Sequence, residues 1–138
     1  MLKRLEHIAI AVSDLEAAIA HYCSVWGLAL EHREVIADYG VEEAMLPLGD
    51  CYLQLLAPLS AESTVAAFIE RRGEGLHHLA YEVEDLGAAL EALRRQGVRL
   101  IDERPRRGSR NSRVAFVHPS GNRGVLVELL ELPNRQRP

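Results

Sequence analysis

Four polar side chains stand where strand-like sequence would otherwise bury apolar groups: His7, Gln54, His78 and Glu128. The two histidines begin alternating segments, and the glutamine and the glutamate interrupt apolar runs. Because an unpaired polar group inside a core costs roughly 1–3 kcal/mol, such residues usually have a partner or a function. Two imidazoles, an amide oxygen and a carboxylate suit a divalent first-row metal ion. The set therefore predicts a metal site, although a single histidine taken alone is more often a hydrogen-bonded core residue.

An internal repeat places these residues at matching positions. Residues 7–19 align without a gap with residues 78–90, and His, Ala, Val, Asp, Leu and two further Ala are identical in place. Each copy opens with the period-two alternation of a strand. Asp14 or Asp85 is then predicted to cap a helix with an apolar stripe at helical spacing. The helices are predicted to end at two glycines, Gly27 and Gly97.

Three strand candidates follow each helix. They cover residues 28–36, 43–48 and 51–57 in the first half, and residues 98–102, 113–118 and 124–131 in the second. Each half is therefore a β-α-β-β-β unit. The predicted fold class is α+β, built from two repeated βαβββ modules.

A chain of 138 residues is about one domain long, so both modules are expected to share a single domain. The first module covers about residues 3–59 and the second about residues 74–132. A linker helix at residues 60–73 joins them, and either Ser60 or Ser63 is predicted to cap it.

The repeat also predicts which polar residues meet. Two halves related by a pseudo-two-fold axis would bring the first strand of each half together with its last strand, so His7 would lie near Gln54 and His78 near Glu128. Alanines two residues after each histidine leave space on the same strand face. His77 adjoins His78 but would point to the opposite face, and we leave it out of the predicted ligand set.

Composition excludes several classes of protein. The chain is 48% hydrophobic and 26% charged, with a net charge of -4, which gives no general reason to bind nucleic acid or an anionic membrane. No signal-like segment or apolar run of membrane-spanning length occurs, so a cytoplasmic location is expected. Cys23 and Cys51 lack metal-site spacing and are expected to be buried reduced thiols. Tyr22 and Trp26 are expected to be core residues.

Several stretches identify a family resemblance. They are residues 52–59, 63–66, 73–78, 118–119 and 124–129. With the paired strand openings, they resemble the vicinal oxygen chelate superfamily, which includes glyoxalase I, extradiol dioxygenases and antibiotic resistance proteins. Within it they are similar to the methylmalonyl-CoA epimerase family over about residues 3–132. The resemblance implies a curved mixed sheet around a metal site and a homodimer. It also implies that the metal is usually cobalt, with manganese, nickel or zinc as alternatives, and that the ligands are the four residues named above.

The same resemblance implies a reaction. Its substrate would be an acyl-CoA, (R)- or (S)-methylmalonyl-CoA, interconverted by 1,1-proton transfer through a metal-stabilised enolate. Residues 40–45 match the motif of a catalytic glutamate, with Glu43 at the carboxylate position and Glu42 pointing away if this segment is a strand. For the second face of the substrate, the candidates are Glu128 acting from the metal shell or a bound water.

A CoA carrier bears several phosphate charges, so a cationic rim is expected. Arg107, Arg110 and Arg113 are the candidate substrate-binding residues in a loop that also contains Arg104 and Arg106. The alternative is a solvated arginine loop. This loop is less glycine-rich than is usual in the family, and Ser120 replaces the usual lysine, so details of acyl binding are expected to differ.

Two other functions remain open at this point. A glyoxalase I-like isomerase or lyase would also move a proton through a metal-bound enediolate, and a non-catalytic small-molecule-binding protein of the same fold would hold no metal. A dioxygenase is disfavoured because Gln54 would occupy a position that iron oxygenases of this kind keep open.

Overall fold

The computed structural model describes residues 1–133. These residues group into two compact units: one comprises Glu6–His77, and the other comprises Met1–Leu5 with the chain from His78 onward. Each unit contains one copy of the repeat, and the two are called here the first unit and the second unit. Within residues 1–133, no helix has the length and apolar character that crossing a membrane requires.

The first unit has the predicted β-α-β-β-β order followed by a helix. Its elements are β1 (Leu2–Ala11, whose first residues group with the second unit), α1 (Leu15–Trp26), β2 (His32–Ile36), β3 (Val41–Leu48), β4 (Cys51–Pro58) and α2 (Thr64–Arg72). Its strands lie in the order β2-β3-β4-β1. The β1–β4 pair is parallel and the other pairs are antiparallel. The first and last strands of the module are therefore neighbours, as the repeat predicts.

The second unit repeats this arrangement. Its elements are β5 (Gly75–Val83, whose first residues group with the first unit), α3 (Leu86–Arg95), β6 (Arg106–Arg107), β7 (Arg113–Val117) and β8 (Val127–Glu131). The order β5-β8-β7-β6 matches β1-β4-β3-β2, and again only the first pair is parallel. The α+β class with two βαβββ modules is confirmed.

Helix ends follow the local sequence. The Asp14 and Asp85 side chains accept hydrogen bonds from the first turns of α1 and α3, at 3.1 and 2.9 Å. Ser63, not Ser60, caps α2 by accepting from Val65 N at 3.2 Å. Helix α1 stops at Gly27 in the left-handed region, with φ of 70°. Helix α3 ends at Arg95, two residues before Gly97, with Gln96 as C-cap.

In each unit, one face of the strands is buried under a helix. In the first unit, α1 packs through Leu15 on a cluster that includes Leu46 and Leu55. In the second unit, α3 packs through Leu86 and Leu90 on a cluster that includes residues of β7 and β8. The opposite faces carry the predicted polar residues. In the first unit, helix α2 covers one end of that opposite face with Val65, Phe68 and Ile69.

The strand predicted at residues 98–102 is wrong. Only an isolated bridge joins Leu100 to Val117, and the edge strand of the second unit is the two-residue β6. The buried Asp102 explains the difference, because its Oδ2 accepts the Phe116 N–H at 2.8 Å and so takes the place of a neighbouring strand's carbonyl. Its other oxygen pairs with Arg106 Nη1 at 3.6 Å.

Two smaller predictions also need correction. Tyr22 packs against the core cluster of the first unit, but Trp26, the last residue of α1, is 67% exposed although its spacing from Tyr22 continues the apolar stripe. Cys23 and Cys51 are free, as predicted, but half-buried.

Candidate active-site residues

His7 and Gln54 lie on one face of the first unit's sheet. Ala9 is directly opposite Gln54 in the parallel β1–β4 pair, so His7, two residues earlier, shares that face and lies diagonally from the glutamine. Both side chains are buried. The small Ala9 between them leaves the space that a ligand would need.

The second unit repeats this geometry with a carboxylate in place of the amide. Ala80 is opposite Glu128 in the parallel β5–β8 pair, and His78 shares their face. His78 Nε2 lies 2.9 Å from Glu128 Oε2, and both residues are buried. The edge of the His78 ring contacts Phe116, with centroids 5.1 Å apart. The repeat thus reproduces one histidine and one oxygen donor on the same face of each unit.

Gln54 is held in one orientation. Its Nε2 donates to Glu43 Oε2 at 2.5 Å, which leaves the amide oxygen turned away from the carboxylate. That atom, Gln54 Oε1, is buried and has no hydrogen-bond partner among residues 1–133. An orphaned amide oxygen costs roughly 1–3 kcal/mol, and a hard cation would satisfy it. The donor chemistry of this position therefore fits a divalent metal ion.

Glu43 is fully buried on the same sheet face. In the antiparallel β3–β4 pair, Met45 is opposite Gln54 and Glu43 is opposite Leu56, so the glutamate lies one step along the face from the predicted ligand. Glu42 points to the other face, where Arg33 Nε donates to its Oε2 at 2.9 Å. The hydrogen bond to Glu42, with help from Glu16, raises the pKa of the Arg33 guanidinium.

The two units differ at the position of Glu43. Phe116 is opposite Glu128 as Met45 is opposite Gln54, so the residue that matches Glu43 is Val114. A carboxylate beside the oxygen donor occurs in the first unit and a valine in the second. The repeat therefore supplies two histidines but only one residue of the Glu43 type.

Glu6 is a further candidate site residue, and the strand pattern does not indicate it. It is fully buried, although it neighbours His7 in the strand and occupies the repeat position of His77. Its Oε2 contacts His7 Nδ1. A carboxylate at Nδ1 favours the proton on that nitrogen, which would leave Nε2 of the ring to bind a metal ion. His77 instead contacts the ring of Phe68 on α2, with centroids 4.8 Å apart.

A second polar cluster surrounds Glu43 at the strand edge. His32 on β2 is opposite Met45, and Glu34 is opposite Glu43. His32 Nε2 lies 2.8 Å from Glu34 Oε1 and 3.7 Å from Glu43 Oε1. This cluster was not predicted from the sequence, because β2 shows no clear period-two pattern that would assign His32 to the buried face.

The candidate substrate-binding arginines occupy different surroundings. Arg107 is exposed on β6, opposite Arg113, which pairs with Glu131 at 3.1 Å. Arg110 is half-buried in a tight turn at residues 109–111, where its φ is 53°. Arg106 is opposite Val114, on the sheet face that carries Glu128. The arginines are therefore close in sequence but do not form a single row on one sheet face.

Comparison with known proteins agrees with these features. An ethylmalonyl-CoA/methylmalonyl-CoA epimerase of Cereibacter sphaeroides is 40% identical over 131 residues, covering 94% of this chain and 98% of that protein. The crystal structure of methylmalonyl-CoA epimerase from Mycobacterium tuberculosis is 44% identical with a TM-score of 0.93, covering 96% of this chain and 90% of that one. A variant of Streptomyces coelicolor methylmalonyl-CoA epimerase in complex with 2-nitronate-propionyl-CoA is 39% identical with a TM-score of 0.93, and each chain is covered completely.

By name, these relatives are epimerases of methylmalonyl-CoA or of ethylmalonyl-CoA and methylmalonyl-CoA, and the similarity covers nearly the whole chain. The profile of the Glyoxalase/Bleomycin resistance protein/Dioxygenase superfamily matches residues 6–116, which include Glu43, Gln54 and both histidines of the repeat. This chain therefore belongs to the Glyoxalase/Bleomycin resistance protein/Dioxygenase superfamily and resembles its methylmalonyl-CoA epimerases.

Proposed function

We propose that this chain is a metal-dependent epimerase that interconverts (R)- and (S)-methylmalonyl-CoA by 1,1-proton transfer. The observation that carries the proposal is the pair of Glu43 and Gln54: a fully buried carboxylate that accepts a hydrogen bond from an amide whose own oxygen is orphaned. A base and a cation-binding oxygen on one sheet face are what removal of a proton next to a thioester requires. The epimerase names of the relatives support the same reaction.

The residues proposed to hold the metal are His7, Gln54, His78 and Glu128. A divalent ion bound by them would act as a Lewis acid toward the negative charge that develops on the thioester when the C2 proton leaves. Cobalt is the first choice, and manganese, nickel or zinc also suit two imidazoles with two oxygen donors.

Glu43 is proposed to take the C2 proton on one face of the substrate. Its burial keeps water away from the carboxylate, and the Gln54 N–H holds one of its oxygens in place. A positioned general base contributes about 10²–10⁴ to the rate. The other oxygen of Glu43, Oε1, is the atom proposed to take the substrate proton.

The second face needs a different group, because Val114 stands where the repeat would have supplied a second Glu43. Glu128 is our candidate for this role, with a bound water as the alternative. Its side chain is about 10% exposed, lies 2.9 Å from His78 Nε2 and shares a sheet face with that proposed ligand. In this scheme Glu128 serves both as a metal ligand and as a proton carrier.

CoA phosphates are proposed to meet the arginines of residues 104–113, with Arg107, Arg110 and Arg113 as the direct contacts. Replacing Arg107 and Arg110 together with glutamine should raise the Michaelis constant for the CoA substrate, and the difference from wild type should shrink as salt rises. Arg95→Gln, an exposed arginine at the end of α3, is the control. An unchanged Michaelis constant would favour a solvated loop, and loss of turnover without a change in binding would mean that the loop shapes the reacting centre.

Two substrates offered to the same metal-loaded protein distinguish an epimerase from a glyoxalase I-like isomerase, and the rate of turnover of each is measured. The proposal expects inversion of methylmalonyl-CoA and little conversion of the hemithioacetal of methylglyoxal. The reverse preference would make the chain an isomerase of the glyoxalase type. Tight binding of metal with turnover of neither substrate would contradict the methylmalonyl-CoA assignment.

A further inference from the structure

Three side chains that can bind a metal converge at the β2 edge of the first unit. The Nε2 atom of His32 and one carboxylate oxygen from each of Glu34 and Glu43 lie within 4.8 Å of one another. Nε2 is 2.8 Å from Glu34 Oε1 and 3.7 Å from Glu43 Oε1. The strand register explains the convergence: His32 is opposite Met45 and Glu34 is opposite Glu43, so all three side chains share one sheet face.

These donor atoms suit a first-row divalent cation. An imidazole nitrogen with two carboxylate oxygens is a donor set that zinc and cobalt accept, whereas magnesium and calcium prefer oxygen alone. Ligand bonds of roughly 2.1 Å place neighbouring donor atoms roughly 3–3.5 Å apart. The observed separations of 2.8 and 3.7 Å lie on either side of this range. Small rotations of His32 and Glu34 would therefore bring the three donors around one ion, with the proton of the neutral imidazole on Nδ1.

The surroundings of the cluster favour a cation. The side chains of His32 and Glu34 are 32% and 33% exposed, so an ion has access from solvent, whereas Glu43 is fully buried. Arg33 points to the other sheet face, where it binds Glu42 and so does not neutralise this pair of carboxylates. Two carboxylates near one nitrogen repel each other when both are ionised, and a divalent ion between them would replace that repulsion with attraction.

We infer that His32, Glu34 and Glu43 bind a second divalent cation and that its binding inhibits the enzyme. The two oxygens of Glu43 make different contacts: Oε2 accepts the Gln54 hydrogen bond, and Oε1 faces His32. A cation on Oε1 occupies the atom proposed to take the C2 proton. The site rests on the geometry of the three residues. Its effect on turnover rests in addition on the proposed function, because it requires Glu43 to be the base.

Cobalt bound per chain, measured by equilibrium dialysis, tests the site without an activity assay. The wild type should bind two ions, the second more weakly because it has three protein ligands rather than four. In His32→Phe and in Glu34→Gln the dissociation constant of the second ion should rise by more than about 10-fold. The matched controls are His21→Phe on the exposed side of α1 and Glu42→Gln on the other sheet face, and both should bind two ions. Thermal unfolding of each variant checks that the fold is kept.

His78→Ala separates the two cations. It removes a proposed ligand of the first ion and leaves the His32 cluster of the first unit intact. This variant should keep one cobalt ion, with the affinity of the second ion in wild type. Adding Glu34→Gln to His78→Ala should remove that ion as well.

The dependence of epimerisation on free cobalt tests the inhibition. Turnover of methylmalonyl-CoA should rise as the first ion binds and then fall by about 10² or more as the second ion binds, because the general base is blocked. In Glu34→Gln the rise should remain, and the fall should require more than roughly 10-fold higher cobalt. The comparison uses the ratio of peak turnover to turnover at high cobalt within each variant, so a change in basal rate does not affect it.

A single cobalt ion per chain in the wild type would overturn the site, and so would a second ion that binds equally well in wild type, His32→Phe and Glu34→Gln. Undiminished turnover with both ions bound would overturn the inhibition. Two ions that respond to the variants as expected, in a protein that epimerises at no cobalt concentration, would support the cation site and contradict the proposed function.

Discussion

Glu43→Gln should lower epimerisation by about 10²–10⁴ while the protein still binds its metal. The amide keeps the shape of the side chain but cannot accept a proton. One enantiomer of methylmalonyl-CoA should still exchange its C2 proton with solvent through the group on the opposite face, whereas net inversion is nearly lost. The measurement is chiral analysis of the thioester with deuterium counting, on protein whose metal content has been checked.

Glu42→Gln is the matched control, because the neighbouring glutamate points to the other sheet face and binds Arg33. It should behave like wild type. Full epimerase activity in metal-loaded Glu43→Gln would eliminate Glu43 as the base. The search for that group would then move to Glu128 or to a bound water.

His78→Ala and Glu128→Ala should each abolish activity and weaken metal binding. Loss of a residue that only supports a metal ligand lowers metal affinity by roughly 10- to 100-fold, and loss of a direct ligand should lower it further. Each variant removes a proposed direct ligand and leaves its buried partner, 2.9 Å away in the present structure, without that contact. Metal bound per chain after dialysis against a weak chelator is the measurement.

His77→Ala is the control for the metal experiment. This residue adjoins His78 in the strand but contacts Phe68, so metal content and activity should stay close to those of wild type. Loss of metal in His77→Ala with retention in His78→Ala would show that the face assignment of the predicted ligand set is wrong.

The repeat explains why much of the site was predictable. Matching residues 7–19 with 78–90 fixes which strand opens each module, and a parallel first and last strand then follows from the β-α-β-β-β order. Because side chains alternate along a strand, the pairing of Ala9 with Gln54 and of Ala80 with Glu128 determines which histidine shares a face with which oxygen donor. The prediction depends on the internal repeat and on the alternation of side chains along a strand, and both can be read from the sequence.

Other features depend on contacts that no local pattern records. Glu6 alternates away from His7 along the strand, yet its buried carboxylate reaches the Nδ1 atom of that ring. His32 comes near Glu43 only because β2 pairs with β3 in a particular register. Asp102 replaces a strand with one side-chain hydrogen bond to Phe116 N. In each case a polar side chain has a partner that is distant in sequence or that lies out of phase with the strand alternation.

The central claim is tested most directly by incubating one enantiomer of methylmalonyl-CoA with the protein in deuterated water, before and after metal removal. With metal bound, the pure enantiomer should become a mixture of both, and each inverted molecule should carry one deuterium at C2. Chelation should stop inversion and exchange together, and added cobalt should restore both. Retention of the starting enantiomer at every metal loading, or inversion undiminished in metal-free protein, would contradict the account.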